Sequence, residues 1–183
     1  MKYNNEWLVT RFNAKEKISY TFFWGHAVTP GIVTKSCFSQ WWMSAFTVDN
    51  KTYPTAEHWM MAGKARLFND TAIEEKILKE PSPAKVKKLG RVVKNFDPAK
   101  WDKEKFNIVV EGNLHKFSQH NDLKAFLFST KDNVLVEASP LDRIWGIGMG
   151  ADHEHVQNPL LWRGQNLLGY ALMVVRDELK NKQ

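Results

Sequence analysis

Apolar and polar positions along the chain follow the period of a helix over most of its length. Apolar residues recur three and four positions apart, which is typical of helices that bury one face. This pattern predicts helices from about Pro54 to Phe68, Asp70 to Leu78, Ser82 to Arg91, Asp97 to Phe117 and Asn121 to Phe128. A last helix is expected after Asn166, and the polar residues from Asp177 to Gln183 are predicted to form a tail.

Short apolar runs predict only a few strands. We expect one around Trp7–Val9, one at Tyr20–Trp24 and a hairpin over Phe46–Tyr53. A fourth short strand, at Val134–Val136, leads into a polar loop over residues 137–148. The pattern therefore predicts a mainly α protein, α+β at most, with strands near the N-terminus and before that loop.

The start of the helix predicted from Pro54 to Phe68 has chemical interest. Thr55 can cap the helix, and Glu57 then falls in the first turn, where the helix dipole favours an anion. Lys64 lies two turns further along the same face. The pair could hold a polar ligand, or Glu57 could serve only the dipole while Lys64 is solvated. Spacing alone leaves both interpretations open.

The loop over residues 137–148 is the second informative stretch. Asp142, Arg143 and Trp145 bring an acid, a cation and a flat ring together, and Gly146 lets the backbone approach a ligand closely. A structural loop and a binding site are both consistent with this composition. Residues 146–151 fit a loose dinucleotide fingerprint, but no strand leads directly into them and no apolar helix follows.

Metal and serine-nucleophile chemistry have little support in the sequence. His153 and His155 lie close together, but neither an HExxH motif nor paired cysteines accompany them. No serine lies in a GxSxG elbow. We therefore predict no metal site and interpret the histidines as part of a surface loop.

Size and composition indicate an ordinary globular chain. Its 183 residues are 43% hydrophobic and 25% charged, which fits one domain with a real core. No apolar run approaches the length of a membrane span, so we expect no membrane partner. A single cysteine, Cys37, excludes an internal disulfide framework and favours a cytoplasmic location.

The net charge of +6 is concentrated in one segment. Residues 79–105 hold nine basic and four acidic side chains, an excess of five positive charges. This favours an anionic partner, either a nucleic acid or a phosphorylated small molecule. The alternative is a solvated face of the helices in this segment.

Several sequence blocks together carry a family likeness. In order along the chain they are Phe38-Ser39-Gln40-Trp41, Tyr53-Pro54-Thr55-Ala56-Glu57-His58, Lys64, Gly90-Arg91, the 137–148 loop and Asn166-Leu167-Leu168-Gly169. With these blocks the chain resembles the NADAR (YbiA-like) family of N-glycosidases over about residues 20–178. The resemblance implies one compact, mainly helical domain over residues 1–183, in which residues 1–19 form an N-terminal extension.

The resemblance also implies hydrolysis of an N-glycosidic bond between a ribose phosphate and a nucleobase-like ring, without a cofactor. Members of the family cleave early riboflavin-pathway intermediates, in which a ribosylamine phosphate joins an aminopyrimidine. Others remove ADP-ribose from modified guanine. By position, Glu57 and Asp142 match the acidic site residues and Trp101 matches a site tryptophan. The remaining predicted substrate-binding residues are Lys64, Arg91, Arg143, Trp145, Gly146 and Asn166.

The chemistry fits these residue types. Breaking the bond builds positive charge on the sugar, so one of Glu57 and Asp142 is expected to stabilise that charge while the other handles protons. Trp101 or Trp145 could stack on the base. Lys64, Arg91 and Arg143 are candidates for the phosphate.

One departure from the family pattern affects the substrate. Gln40 stands where members of the family often have asparagine, and its longer side chain could reshape the base pocket. A non-catalytic reader of ADP-ribose or nucleic acid is the rival class, although the presence of both acids favours an enzyme. A homologue with structural duties only is a third possibility. The oligomeric state is not indicated by the sequence.

Overall fold

A computed structural model of the chain describes residues 1–27 and 29–182. Across these residues the chain forms seven α-helices and four short strands. The helices are α1 (Asn5–Asn13), α2 (Ala56–Leu67), α3 (Thr71–Lys79), α4 (Pro83–Arg91), α5 (Pro98–Gln119), α6 (Asn121–Ser129) and α7 (Leu167–Asn181). The strands are β1 (Tyr20–Phe23), β2 (Phe46–Val48), β3 (Lys51–Tyr53) and β4 (Val134–Glu137).

The predicted helix starts are confirmed together with their caps. The side chain of Thr55 accepts the N–H of His58, and that of Asp70 accepts the N–H of Ile73. Ser82 and Asp97 cap α4 and α5 in the same way, each followed by a proline in the first turn. A polar side chain that satisfies free N–H groups, with proline where no N–H is needed, fixes these boundaries locally.

Contacts divide the chain into two compact units. Unit 1 consists of Met1–Ser39 and Asp122–Gln183, and unit 2 consists of Gln40–Asn121. The prediction of a single domain over residues 1–183 stays a prediction.

Unit 1 is built on a parallel pair of strands. Residue Tyr20 of β1 is in register with Val134 of β4, and α7 packs against β4. Leu135 and Val136 are fully buried, as are Leu168 and Leu172 on the inner face of α7. A strand that is buried on both faces needs apolar residues at successive positions, which explains the run Val134–Val136 in β4.

The N-terminal segment corrects one prediction, because Trp7–Val9 is helical rather than a strand. Asn4 caps α1 by accepting the N–H of Trp7 at 2.7 Å. Leu8 is the buried residue of the helix, so three adjacent apolar residues here do not signal a sheet. The hydroxyl of Tyr170 donates to Asn5 at 2.9 Å and ties α1 to α7 within unit 1.

The C-terminal segment also differs from prediction. The helix α7 continues to Asn181, through most of the stretch expected to be a polar tail. Asp177 accepts hydrogen bonds from Lys2 and from Tyr3, each at 2.6 Å, and Arg176 donates to Thr130 at 2.8 Å. These long-range partners stabilise a polar helix end. Gln183 lies outside the described residues.

Unit 2 is organised around α2. The β2–β3 hairpin, with Phe46 opposite Tyr53, is as predicted and leads into this helix. Helices α3, α4 and α5 all contact α2. Residues 56–63 of α2 are buried, so this helix is a core element rather than an amphipathic one. None of the helices in residues 1–27 and 29–182 is long and apolar enough to cross a membrane.

Candidate active site

Glu57 is held in the first turn of α2. Its side chain is 3% exposed, and its backbone N–H donates to the carbonyl of Gln40 at 2.9 Å. Glutamate is among the residues least often buried, and a surface position would serve the helix dipole equally well. The burial of Glu57 therefore favours a functional role over the dipole alone.

His58, the next residue, is held by hydrogen bonds at both ring nitrogens. Its Nε2 lies 2.7 Å from the carbonyl oxygen of Glu80, and its Nδ1 lies 2.7 Å from the hydroxyl of Thr55. A carbonyl can only accept, so Nε2 carries the proton and Nδ1 accepts from Thr55. Burial lowers the pKa of His58, against the opposing effect of the Glu80 carbonyl. A neutral ring with both nitrogens engaged fixes the helix start and is not a free base.

Lys64 lies two turns further along α2, among aromatic rings. Its Nζ donates to the carbonyl of Gly90 at 2.8 Å. The same atom is 4.0 Å from the ring centroid of Phe96 and 5.5 Å from that of Trp101, within the range of cation–π attraction. Burial lowers the pKa of Lys64. The structure therefore brings two predicted site residues, Lys64 and Trp101, together.

Gly90 makes this arrangement possible by its lack of a side chain. A Cβ atom there would lie 1.9 Å from the sulfur of Met61, so a larger residue would force the side chain of Met61 to move. The neighbouring Arg91 ends α4 and is exposed. Of these two residues, Gly90 provides the carbonyl that accepts from Lys64, and Arg91 places a positive charge on the surface.

Gln40 is 8% exposed, and its backbone carbonyl accepts the backbone N–H of Glu57 at the start of α2. Its side-chain oxygen accepts a hydrogen bond from Nδ2 of Asn113 at 2.9 Å. Asn113 is fully buried on α5 and was not singled out by the sequence analysis. The available signal was a polar residue one turn after Val109 on the buried face of a long helix.

Asp142 lies in unit 1 and organises the 137–148 loop. Its Oδ1 accepts the backbone N–H groups of Ile144 at 2.9 Å and of Trp145 at 2.8 Å. Its own N–H donates to the hydroxyl of Ser139 at 3.2 Å. One carboxylate oxygen of the predicted catalytic Asp142 is thus engaged in shaping the loop. Arg143, between these residues, is exposed and Trp145 is half-buried.

Gly146 is required by close packing of this loop on itself. A Cβ atom there would lie 2.8 Å from the carbonyl oxygen of Glu137 and 3.0 Å from that of Asp142. The carbonyl of Gly146 accepts the N–H of Asn166 at 3.1 Å. These contacts give Gly146 a packing role, and its predicted contact with substrate stays a prediction.

Asn166 joins the loop region to β4. It is fully buried with a φ of 54°, a left-handed conformation that asparagine tolerates better than most residues. Its Oδ1 accepts the N–H of Glu137 at 2.9 Å, and its Nδ2 donates to the carbonyl of Leu135 at 2.9 Å. Both polar groups of the amide serve the strand, and the predicted role of Asn166 in substrate binding stays a prediction.

Unit 2 also contains a cavity whose lining differs from the predicted site residues. A cavity of about 310 Å³ between α2 and α5 is lined by Trp59, Gly63, Arg66, Leu67, Glu104, Ile108 and Glu111, none of which was predicted as a site residue. Over residues 1–27 and 29–182, no group of three or more His, Cys, Asp or Glu side chains could hold a metal ion.

The basic segment runs from the end of α3 through α4 to the first turns of α5. Most of its cations are exposed, and these are Lys79, Lys85, Lys88, Arg91, Lys94, Lys100 and Lys103. Lys87 instead lies over the ring of Trp41 at 5.9 Å, and Lys105 pairs with Asp102 at 2.6 Å. Exposure of this kind is consistent with both predictions made for the segment, an anion-binding surface and a solvated face.

The chain is similar to several known proteins. A family model for the NADAR domain matches residues 22–180. N-glycosidase R617 of Acanthamoeba polyphaga mimivirus is 43% identical over an alignment of 168 residues that covers 89% of this chain and 98% of that protein. N-glycosidase YbiA of Escherichia coli (strain K12) is 33% identical over 144 residues, 79% of each chain.

A solved structure has a similar fold. The NMR structure of the E. coli protein YbiA matches with a TM-score of 0.70 at 28% identity, over 91% of this chain and 89% of that one. The predicted fold class, mainly α with a few short strands, is thereby confirmed.

Proposed function

Because the chain belongs to the NADAR family, we propose that it hydrolyses the N-glycosidic bond between a ribose phosphate and a nucleobase-like ring. The predicted enzyme class, a hydrolase of N-glycosyl bonds, is supported by several relatives that are named N-glycosidases. The observation that carries the proposal for this chain is Glu57, a carboxylate buried at the positive end of α2. The preferred substrate is a ribosylaminopyrimidine phosphate of the kind found early in riboflavin synthesis.

In the proposed reaction the bond between C1′ and nitrogen breaks as positive charge builds on the sugar. A fixed carboxylate stabilises that charge more in the transition state than in the ground state. Water adds to C1′, the leaving nitrogen takes up a proton, and the products are a free base and ribose phosphate. We assign the charge-stabilising role to Glu57, because burial strengthens its electrostatic effect.

Asp142 is the proposed second carboxylate. Its Oδ1 is engaged by two backbone N–H groups, so the proton transfer is assigned to its other oxygen. Lys64 is a proposed phosphate ligand, since the Gly90 carbonyl uses only one of its three N–H donors. The half-buried ring of Trp101 beside it is the proposed stacking surface for the base.

A second substrate, ADP-ribosylated guanine, is favoured by one observation. The exposed cations of α4 and α5 lie in the same segment as Phe96, whose side chain is 43% exposed. These groups offer more contacts to anions and rings than a single phosphate requires. The same surface would serve a non-catalytic reader of ADP-ribose or nucleic acid, which would bind with strong salt dependence and release no product.

The test is a product assay by mass spectrometry. Purified protein is incubated separately with a ribosylaminopyrimidine phosphate and with an ADP-ribosylated guanine nucleotide. Free base with ribose 5-phosphate supports the preferred substrate, and free ADP-ribose supports the second one. No product from folded protein would contradict both and favour the binding module.

The Glu57→Gln variant tests the carboxylate itself. We expect it to keep the helical circular dichroism spectrum and to lose at least about a thousandfold in kcat/KM, since the amide cannot stabilise a cation. Glu75→Gln, at an exposed position on α3, is the matched control and should keep full activity. A folded and active Glu57→Gln protein would rule out the assigned role.

A further inference from the structure

Two buried amides meet beside the start of α2. Gln40 and Asn113 are 8% and 0% exposed, and the Oε1 of Gln40 accepts from the Nδ2 of Asn113 at 2.9 Å. Asn113 belongs to α5, whereas Gln40 is joined to the N–H of Glu57 through its carbonyl. The side chain of Asn113 therefore holds the side-chain amide of Gln40, a residue whose backbone carbonyl accepts the backbone N–H of Glu57.

The orientation of both amides follows from one backbone group. Nδ2 of Asn113 also donates to the carbonyl of Val109 at 2.8 Å. A carbonyl can only accept, so the nitrogen of the Asn113 amide must face Val109 and Gln40. This in turn requires the oxygen of the Gln40 amide to face Asn113. The amino group of Gln40 is consequently turned away from its neighbour.

That amino group has no hydrogen-bond partner among the described residues. Nε2 of Gln40 and Oδ1 of Asn113 are both buried without one. A buried polar group without a partner costs about 1–3 kcal/mol, and native proteins leave few such groups unexplained. In hydrogen-bonding type, this donor and this acceptor are complementary to the edge of a heterocycle that carries carbonyl and N–H groups.

We propose that Asn113 is a positioning residue for substrate recognition: it turns the Gln40 amino group toward a carbonyl or ring-nitrogen acceptor on the leaving base. The inference rests on the proposed function and narrows it to bases with an acceptor on that edge, such as pyrimidinones and guanine. It also gives Gln40 a defined role, as a hydrogen-bond donor that selects the base.

The decisive variant is Asn113→Asp. A carboxylate of the same shape can only accept, so Gln40 must turn its amino group toward position 113 and away from the base. The probes are diaminouracil, which carries ring carbonyls, and diaminopyrimidine, which lacks them. Binding is followed by NMR titration of ¹⁵N-labelled protein, in which Gln40→Glu identifies the side-chain amide signal of Gln40 by removing it.

We expect the natural chain to bind diaminouracil about tenfold to a hundredfold more tightly than diaminopyrimidine, with a shift of the Gln40 amide signal. Asn113→Asp should abolish both the preference and the shift. Gln40→Glu keeps the bond to Asn113 and replaces the donor by an acceptor, so it should also abolish the preference. Asn107→Asp, the same change at an exposed position on α5, is the control and should alter neither.

The outcomes separate this inference from the proposed function. A natural chain without a preference for diaminouracil, or an Asn113→Asp chain that keeps it, would overturn the role of the amide pair even if turnover is found. A chain that shows the preference but yields no product from either proposed substrate would support the amide pair and contradict the hydrolase. A structural role for Asn113 would lower stability without changing the ratio of the two affinities.

Discussion

Two asparagines are fully buried in the part of the chain that the structure describes, and they use their amides in different ways. Asn166, beside the 137–148 loop, gives its oxygen to the N–H of Glu137 and its nitrogen to the carbonyl of Leu135. Asn113, in unit 2, donates hydrogen bonds from its side-chain nitrogen to Val109 and Gln40, and its side-chain oxygen has no partner among the described residues. Both polar atoms of the Asn166 amide are hydrogen-bonded to the backbone. The Gln40–Asn113 pair retains one donor and one acceptor without a partner among the described residues.

We interpret the difference as that between a residue that stabilises the fold and one that we propose serves substrate recognition. A buried amide whose groups all serve the backbone lowers the free energy of the fold. A buried amide pair with an open donor and an open acceptor costs stability until a ligand completes it. By this criterion the loop of unit 1 is shaped mainly by its own hydrogen bonds, while the start of α2 is the region that we propose binds substrate.

The largest stability effect is expected at Asn166. Replacing Asn166 by alanine should lower the free energy of unfolding by about 3 kcal/mol, because two buried backbone groups lose their partner and alanine is strained at a φ of 54°. Chemical denaturation measures this change. Asn166→Gly relieves the strain and should recover about 1 kcal/mol. An Asn113→Ala protein destabilised as much as Asn166→Ala would contradict the comparison.

The next effect concerns Asp142 and sharpens the comparison within the loop. Asp142→Asn keeps an oxygen for the N–H groups of Ile144 and Trp145, so the fold should be retained. We expect kcat/KM to fall about a hundredfold, because an amide cannot exchange the proton. Mass-spectrometric product rates give the kinetic change and thermal unfolding gives the stability.

The alanine variant is the comparison for this experiment. Asp142→Ala removes both functions and should lower stability as well as activity. If Asp142→Asn is fully active while Asp142→Ala is not, Asp142 only positions the loop, and Glu57 remains as the single proposed catalytic carboxylate.

The smallest effect is a dependence of stability on pH in the α2 region. Burial lowers the pKa of His58 in the folded protein below its ordinary value of about 6.5. Above that value the residue is neutral in both states and the stability it contributes is fully present. As the pH falls below about 6.5, the unfolded chain takes up the proton first, so stability is lost by at most about 1.4 kcal/mol per pH unit until the folded pKa is reached.

Denaturation curves between pH 5 and pH 8 test this expectation, with a His58→Gln protein as the reference. The variant should be less stable at neutral pH and should lose this part of the pH dependence. Equal slopes for the two proteins below pH 6.5 would mean that His58 is not the group responsible. The 137–148 loop contains no histidine, so acid should weaken the two regions unequally.

Local chemistry explains which parts of the fold the sequence predicts. Thr55, Asp70 and Ser82 cap the helices they precede because a cap needs only neighbouring N–H groups. The helix at Trp7–Val9 was missed because a short apolar run does not distinguish helix from strand. The end of α7 was missed because Asp177 is stabilised by residues near the other end of the chain.

The candidate site is less accessible from sequence for the same reason. The block around Glu57 identifies the residue, but its burial is known only from the packed structure of unit 2, in which three helices contact α2. The pairing of Gln40 with Asn113 joins positions 73 residues apart and follows no local spacing. The loop motif does reveal Asp142, although not that one of its oxygens is engaged by the backbone. A short sequence motif is enough to identify a candidate site residue. Whether a polar atom of that residue is already hydrogen-bonded depends on the packed structure.

The parallel pairing of β1 with β4 has a consequence for synthesis on the ribosome. Thr21 bonds to Asn133, 112 positions later, so unit 1 cannot close until most of the chain has been translated. Unit 2 is contiguous, from Gln40 to Asn121, and its contacts become available earlier. Contacts between distant positions form slowly because a long loop must close first. We therefore expect unit 2, the middle of the chain, to fold before unit 1 during translation. Strand β1 cannot pair until β4 has been synthesised.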